Sequence, residues 1–460
     1  MSAGGSNIFE LDADLTPYAC QKIPNTLGRL LGDAYFKKDI RFAPYTRCYV
    51  FEDAQKRPVA AVWGCYPKLD AGVVPPFEAS ANFGGKTPEI FDLMETERLS
   101  KPDDNGNIKF PVSSFPLFFR GAPGDLPDFI KTFEGASLLS AEGISPLSLG
   151  SRVTGPGSMD ITVKNLRSML FTGQLDAAGK ERPINVAPSA EASFPAPLPQ
   201  PLSASAIKAE KIEAQVTDSS TGKSFKTDCS FEGFVCEKAK SPIKIDGDID
   251  DWKDIPEVKL ENRLTRDKSL KSLSDSDFSG WFKTAWDEKG FYLCVKITDD
   301  KFILKEHQKA AENWNNDTLQ VYFDTLCDAR RRETRGYDIS EYDYTVYPAD
   351  GGKKSEVFMR RSPDIQLTLG LEAFPDNAVA GNVPSAFKQT DGGYIYEVFF
   401  PAVRLMPAKM EKGYNIGFGL FVNDRDDIES KEPKSALTIT PPGTGCYNNP
   451  HLWPVMLLWE

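Results

Sequence analysis

The chain has 460 residues, too many for one core and enough for roughly three domains. Its 54 basic and 66 acidic residues leave a formal charge of -12, which opposes nucleic-acid phosphates and anionic membranes but does not penalise a neutral polymer such as a polysaccharide. No apolar run nears the roughly 20 residues that span a bilayer, and two histidines are thin material for a His-based triad, a haem pocket or a zinc enzyme.

The opening Met1-Ser-Ala-Gly-Gly-Ser has neither a basic start nor an apolar stretch, so it does not read as a secretory signal, and a secreted role would need one on a longer parent. Pro17–Gly32 predicts a helix: Ile23, Leu27, Leu30 and Leu31 keep helical spacing, Pro24 suits the start of the main run and Gly32 its stop. The eight cysteines, at 20, 48, 65, 229, 236, 294, 327 and 446, form no Cys-x-x-Cys, which excludes a zinc-ribbon or thioredoxin pattern. They read as buried reduced thiols; a bridge between neighbouring strands is open for Cys48 with Cys65 and for Cys229 with Cys236.

Cys48–Glu52 and Val59–Trp63 flank a polar turn and predict a hairpin. Phe110–Phe119 reads as a further strand pair or edge. Leu30-Leu-Gly-Asp-Ala34, Tyr49-Val-Phe-Glu52, Pro58–Trp63 and Ser114–Gly121 resemble, in that order, the tail of bacterial glycoside hydrolases with a barrel catalytic domain. In those enzymes a last barrel helix leads into a small β-sandwich. The barrel itself would lie upstream.

Leu147–Val153 and Met159–Leu166 alternate in the two-residue period of strands. Ala187–Ala206 is rich in Pro, Ala and Ser and reads as a long sandwich loop or a linker. Strand-like residues resume at Ile212–Thr217 and Cys229–Cys236, which favours an immunoglobulin-like spacer. Phe291–Ile297, Leu319–Phe323, Tyr342–Tyr347, Tyr394–Phe400 and Ile416–Val422 continue the pattern. In the last, Ile416, Phe418, Leu420 and Val422 share one face, with Gly417 and Gly419 on the other. The expectation is a mostly β chain of tandem antiparallel β-sandwich domains with one short N-terminal helical segment: 1–36 tail and helix, 37–136 a first sandwich, 137–237 the spacer, 238–460 a third sandwich.

Three motifs dominate the last segment: Ile243-Lys-Ile-Asp246-Gly-Asp-Ile-Asp250-Asp-Trp252, Trp286-Asp-Glu-Lys-Gly-Phe-Tyr, and Trp314-Asn-Asn-Asp317-Thr-Leu-Gln-Val-Tyr-Phe-Asp324. With Gly413-Tyr-Asn-Ile-Gly-Phe-Gly419, in this order and spacing, they resemble carbohydrate-binding modules of family 9. The resemblance implies a β-sandwich that holds a sugar and breaks no bond. Two aromatic rings grip the sugar in that family: Trp314 stands where the first does, and Tyr447-Asn-Asn-Pro-His-Leu-Trp453 resembles the loop of the second, with Tyr447 as its ring. The apolar C–H face of a pyranose packs on an aromatic face while its rim hydroxyls need directed bonds. The polar positions depart from the family. A Glu becomes Gln320, a Gln and an Arg fall on Asp343 and Thr345, and an Asn falls on Thr444. Without the Arg fork and the carboxylate, the sugar preference cannot be carried over. Trp252, Trp286, Trp453 and Trp459 read as core residues.

No cofactor is required by this reading. The resemblance leaves structural calcium open, and Asp246, Asp248 and Asp250, like Asp424, Asp426 and Asp427, alternate as oxygen ligands could. No Glu closes an EF-hand pattern, and both stretches read first as solvated acidic turns. Gly84-Gly-Lys86 and Gly351-Gly-Lys353 lack the full phosphate-loop spacing and read as turns. The function expected is a non-catalytic carbohydrate-binding accessory chain, its partners a polysaccharide or oligosaccharide and a glycoside hydrolase catalytic domain. The setting would be extracellular or periplasmic if the hydrolase resemblance holds. The alternatives are an active glycoside hydrolase with catalysis within 37–236, and a surface adhesion or scaffold protein.

Overall fold

Strands are the main regular element of the described residues, as the period-two alternation predicts. The computed structural model describes residues 26–43, 46–64, 77–94, 96–98, 100–113, 115–139, 147–166, 170–188, 190–219, 222, 224–266, 274–305, 309–330, 336–363 and 377–460. They divide into two units: Met1–Leu149, Thr162–Ser193 and Gln215–Lys226 form one, and Gly150–Ile161, Phe194–Ala214 and Thr227–Glu460 the other.

In the first unit, Thr46–Glu52 and Pro58–Gly64 form the predicted hairpin, with Glu52 opposite Pro58. Asp53 closes its turn, taking the Arg57 backbone N–H at 2.8 Å and Nε at 2.7 Å, while Lys56 adopts a positive φ. Tyr35–Ile40, Leu117–Arg120 and Glu89–Phe91 complete this sheet, and Phe77–Asn82, Asn107–Val112 and Ser137–Leu138 form a second. The Phe110–Phe119 stretch is therefore no pair: its two strands belong to different sheets. Val50, Val62, Ile108, Phe110 and Phe119 fill one core with residues of both. Residues 26–31 are helical; the rest of the helix expected over Pro17–Gly32, with Pro24, lies outside the described residues. A further helix, Leu126–Glu134, starts on Pro127 and buries Phe129 and Phe133 one turn apart.

The second unit is built on one hydrogen-bonded path of strands folded over a shared core. Leu319–Asp324 lies between Glu341–Ala349 and Asn415–Asp424, antiparallel to both. The facing layer carries Phe278–Asp287, Gly290–Asp299 and Gly393–Pro401. Phe231–Lys238 joins the layers and runs parallel to both Val455–Trp459 and Phe278–Asp287. Ile416, Phe418, Leu420 and Val422 all point into the core, as the alternation predicts, beside Leu319, Val321 and Phe323. The opposite face needs its glycines. A Cβ on Gly419 would stand 3.0 Å from Tyr322 Cβ and 3.1 Å from the Trp453 indole.

Trp252, Trp286 and Trp453 are buried. Trp459 departs from expectation: it is half-buried, with the Lys412 ammonium 4.7 Å from its ring centroid. Cys48, Cys236, Cys294 and Cys446 are buried thiols. Cys229 and Cys236 do not bridge: nearly the whole Phe231–Lys238 strand separates them, about 20 Å at strand rise, and the Cys229 thiol is turned to the Gly150 carbonyl. Cys65, the other partner considered for Cys48, lies outside the described residues.

Candidate functional site

The strand Leu319–Asp324 presents Leu319, Val321 and Phe323 to the core, so its pleat turns Gln320 and Tyr322 to the opposite face. Register then does the assembly. Gln320 pairs with Thr345 and Tyr322 with Asp343, which places Gln320, Asp343 and Thr345 on one face of the sheet. All three are buried. Gln320 Oε1 accepts from Asn423 Nδ2 at 3.1 Å, and Asn423 Oδ1 accepts from Arg266 Nη1 at 3.1 Å. Arg266 lies over the Phe421 ring at 5.5 Å.

Asp343 is 0% exposed. Its Oδ2 accepts from the Tyr337 hydroxyl at 3.2 Å and stands 3.9 Å from Arg360 Nε. Burial pushes this carboxyl up to about 7, against the opposing pull of Arg360, the Tyr337 hydroxyl and Arg361. Asp343 Oδ1, Thr345 Oγ1 and Arg360 Nε are buried and meet no hydrogen-bond partner among the described residues. Such atoms are costly to leave unmade. Arg360 restores at this face a guanidinium that the sequence reading had missed. Its signal was the alternation of Val357 and Met359, both core residues, which turns Arg360 outward. Tyr337 and Asn423 were likewise missed.

Trp314 sits in the 3-10 helix Ala310–Asn315 and is half-buried, neither sealed in the core nor fully exposed. The sheet side holds this helix at two points. Arg360 Nη2 donates to the Ala311 carbonyl at 3.0 Å, and Arg425 Nη1 donates to Asn315 O at 2.9 Å and Oδ1 at 2.6 Å. Tyr447 is 59% exposed. Its ring meets Tyr337 edge-on at 5.8 Å; Tyr337 in turn lies 6.2 Å from Trp453, which packs on Tyr322 at 5.4 Å. A latch fixes the two loops, because Asn448 Oδ1 accepts the Tyr337 backbone N–H at 2.9 Å. Trp314 and Tyr447 are thus connected through Arg360, Asp343 and Tyr337. Thr444 is not offered to the face: its hydroxyl donates within its own turn, to the Pro441 carbonyl at 2.5 Å.

The two acidic stretches differ. In the first, Asp246 and Asp248 accept from the backbone N–H groups of Asp248 and Asp250, and Glu397 ties the turn down through Gly247 N–H at 2.5 Å and Trp252 Nε1 at 2.7 Å. These carboxylates cap a turn and do not converge. In the second, Asp427 caps Glu429, but Asp424 and Asp426 each bring a carboxylate oxygen within 4.8 Å of the others in a group completed by Asp299. Asp299 is 3% exposed; its Oδ2 and Asp426 Oδ1 meet no donor among the described residues. Tyr394, 0% exposed, has a hydroxyl without a partner among them, in the field of Asp317, Asp299 and Asp424. An all-oxygen set, with two of its three carboxylates buried, fits a hard divalent cation such as calcium, so Asp299, Asp424 and Asp426 are the residues that would hold the structural calcium the family resemblance leaves open.

The first unit holds a cavity of 790 Å³ lined by Phe83, Lys86, Pro88, Asp125, Phe129 and Thr132 among others. Its Lys86 is bonded to Asp125 and Asp128 and its Thr132 hydroxyl to the Asn82 carbonyl, so these polar groups serve one another.

Residues 245–460 match the family model described as carbohydrate family 9 binding domain-like. A family 9 carbohydrate-binding module from Caldicellulosiruptor kristjanssonii, solved with cellotriose, aligns at 16% identity over 49% of this chain and 94% of its own, with a TM-score of 0.36. Its glucose complex aligns at 16% over 49% and 95%, with the same TM-score of 0.36. A Bacteroides uniformis protein of inferred carbohydrate binding aligns at 9% over 49% and 98%, TM-score 0.32. No curated protein matches the chain. The family model carries the resemblance: residues 245–460 are similar to the carbohydrate family 9 binding domain.

Proposed function

We propose that the family 9-like domain binds a carbohydrate on the sheet face rimmed by Trp314 and Tyr447, and that the chain is a non-catalytic accessory to polysaccharide breakdown. The observation that carries this reading is a pair of rings with solvent access on elements bonded to one polar sheet face. A half-buried indole and an exposed phenol belong to those elements, while Asp343 Oδ1, Thr345 Oγ1 and Arg360 Nε lie buried behind them. A sugar offers hydroxyls that donate and accept, and a C–H face that packs on aromatic rings.

Among the described residues, Asp343 faces Arg360 and Tyr337 and not a second carboxylate. The carboxylate pair that a glycosidase needs is not formed around it by those residues, which supports binding over hydrolysis. The partner is then a polysaccharide or oligosaccharide, with bond cleavage left to a glycoside hydrolase catalytic domain in an extracellular or periplasmic setting. Calorimetric titration of the full chain with short glucan, xylan and galactan oligosaccharides tests this. Binding that disappears in a folded Trp314→Ala variant supports the reading; heat from none of the panel, or an unchanged affinity in that variant, removes it.

A further inference from the structure

The acidic group and the aromatic helix lie on the two sides of one arginine. Asp424 and Asp426 flank Arg425 in sequence. Both carboxylates converge with Asp299, the last residue of the strand Gly290–Asp299. Arg425 is wholly buried. Its backbone N–H donates to Asp317 Oδ1 at 2.6 Å. Through Nη1 it holds Asn315, the residue after Trp314, at both the carbonyl and the side chain. Through Nη2 it holds the Ile428 carbonyl at 3.1 Å and the Ser430 carbonyl, and Asn315 Nδ2 returns a bond to the Lys431 carbonyl at 2.8 Å. The loop after Asp424 and the Trp314 helix are therefore fastened by the same guanidinium.

The carboxylates on either side of that guanidinium are only partly partnered: Ser435 Oγ donates to Asp424. Lys434 neutralises part of the cluster, bonding Asp277 at 2.7 Å and also Asp426. Asp299 Oδ2 and Asp426 Oδ1 are left without donors among the described residues. Asp299 and Asp424 are buried and Asp426 is partly exposed, so a cation among them would meet carboxylate oxygens weakly screened by water.

We propose that a divalent cation held by Asp299, Asp424 and Asp426 fixes the Trp314 helix through Arg425 and Asn315, so that cation occupancy and glycan affinity are coupled. Arg425 is a positioning residue in this scheme. The affinity half rests on the carbohydrate-binding reading; the cation-to-Trp314 half does not.

The full chain, stripped with EDTA, is titrated with CaCl2 by calorimetry and by acrylamide quenching of tryptophan fluorescence. Trp314→Phe supplies the subtraction that isolates the indole at 314. Asp424→Asn with Asp426→Asn should take up one calcium fewer than the wild type. Calcium should shield the indole at 314 from acrylamide in the wild type. Both Arg425→Gln and Asn315→Ala should take up calcium, with that shielding lost in the first and weakened in the second. If Arg425→Gln fails to fold, Asn315→Ala decides, since it removes the Oδ1 acceptor and the Nδ2 bond to the Lys431 carbonyl and leaves Arg425 only the Asn315 backbone carbonyl. Affinity for whichever panel oligosaccharide binds should rise about five-fold or more with calcium in the wild type, stay flat in Arg425→Gln and rise less in Asn315→Ala. Equal calcium uptake in the Asp424/Asp426 variant overturns the site. Uptake with no response at Trp314, or a response undiminished in Asn315→Ala, overturns the relay. Shielding of Trp314 with no oligosaccharide bound leaves the relay standing and sinks the carbohydrate-binding reading instead.

Discussion

Tyr337 and Arg360 converge on one oxygen: the tyrosine hydroxyl donates to Asp343 Oδ2 at 3.2 Å and Arg360 Nε stands 3.9 Å from it. Burial drives the Asp343 carboxyl upward, and Arg360 is the largest influence opposing it. Arg360→Gln should therefore raise the Asp343 pKa above its present value of about 7, whereas Tyr337→Phe should raise it less. Carbon-detected NMR titration of the Asp343 carboxyl measures this. A fall in the Arg360→Gln variant would mean that the guanidinium does not face this carboxylate.

Stability should decline as pH rises through the mildly acidic range. Burial lifts Asp343 and Asp424 to about 7 and Asp299 to about 6, while the unfolded chain keeps the ordinary carboxylate value of about 4. Between those values the folded chain binds more protons than the unfolded one, so each group's contribution is fullest below about pH 4 and is lost by about pH 7, on the order of 1–3 kcal/mol per group. Denaturant unfolding in EDTA from pH 4.5 to 8 should show the decline. Asp343→Asn should flatten it, and calcium should offset the share of Asp299 and Asp424. A curve that rises with pH would contradict the burial assigned to these groups.

Two tryptophans should separate stability from binding. Trp453 is buried on Tyr322, and Trp453→Ala should cost about 3–5 kcal/mol. Trp314 is half-buried, and Trp314→Ala should cost about 1 kcal/mol while abolishing oligosaccharide binding. Urea denaturation alongside calorimetry distinguishes the two profiles.

Gly419→Ala should act at a distance from the core. The added carbon would press on Tyr322 Cβ at 3.0 Å and on the Trp453 indole at 3.1 Å, and those rings support Tyr337 and the Tyr447 loop. The expected outcome is a loss of about 1–3 kcal/mol from overpacking, with weakened binding. Thermal melts and titration on the same preparation check both.

Much of this was legible in the sequence wherever alternation decides the outcome. Leu319, Val321 and Phe323 against Gln320 and Tyr322 is a period-two pattern, and the structure follows it. Solvent access was not legible, because the residues over Asp343 and Thr345 come from loops whose course no periodicity announces: Tyr337 lies before the strand and Trp453 more than a hundred residues beyond it. Arg360 reaches Asp343 across a register shift between Asp343 and Tyr344, which a bulge sets and a linear reading cannot see. Asp299 joins Asp424 and Asp426 only after two strands from different parts of the chain end together. The helix Leu126–Glu134 had a local signature in Pro127 and the Phe129–Phe133 spacing, and sequence alone could have found it.

The most direct test of the account is calorimetric titration of the full chain and its Trp314→Ala variant with short glucan, xylan and galactan oligosaccharides. Saturable binding of at least one sugar by the native chain, lost in a variant that melts within a few degrees of it (a change of about 1 kcal/mol), is the predicted result. No binding by the native chain, or equal binding by both, would contradict a glycan held against the Trp314 indole.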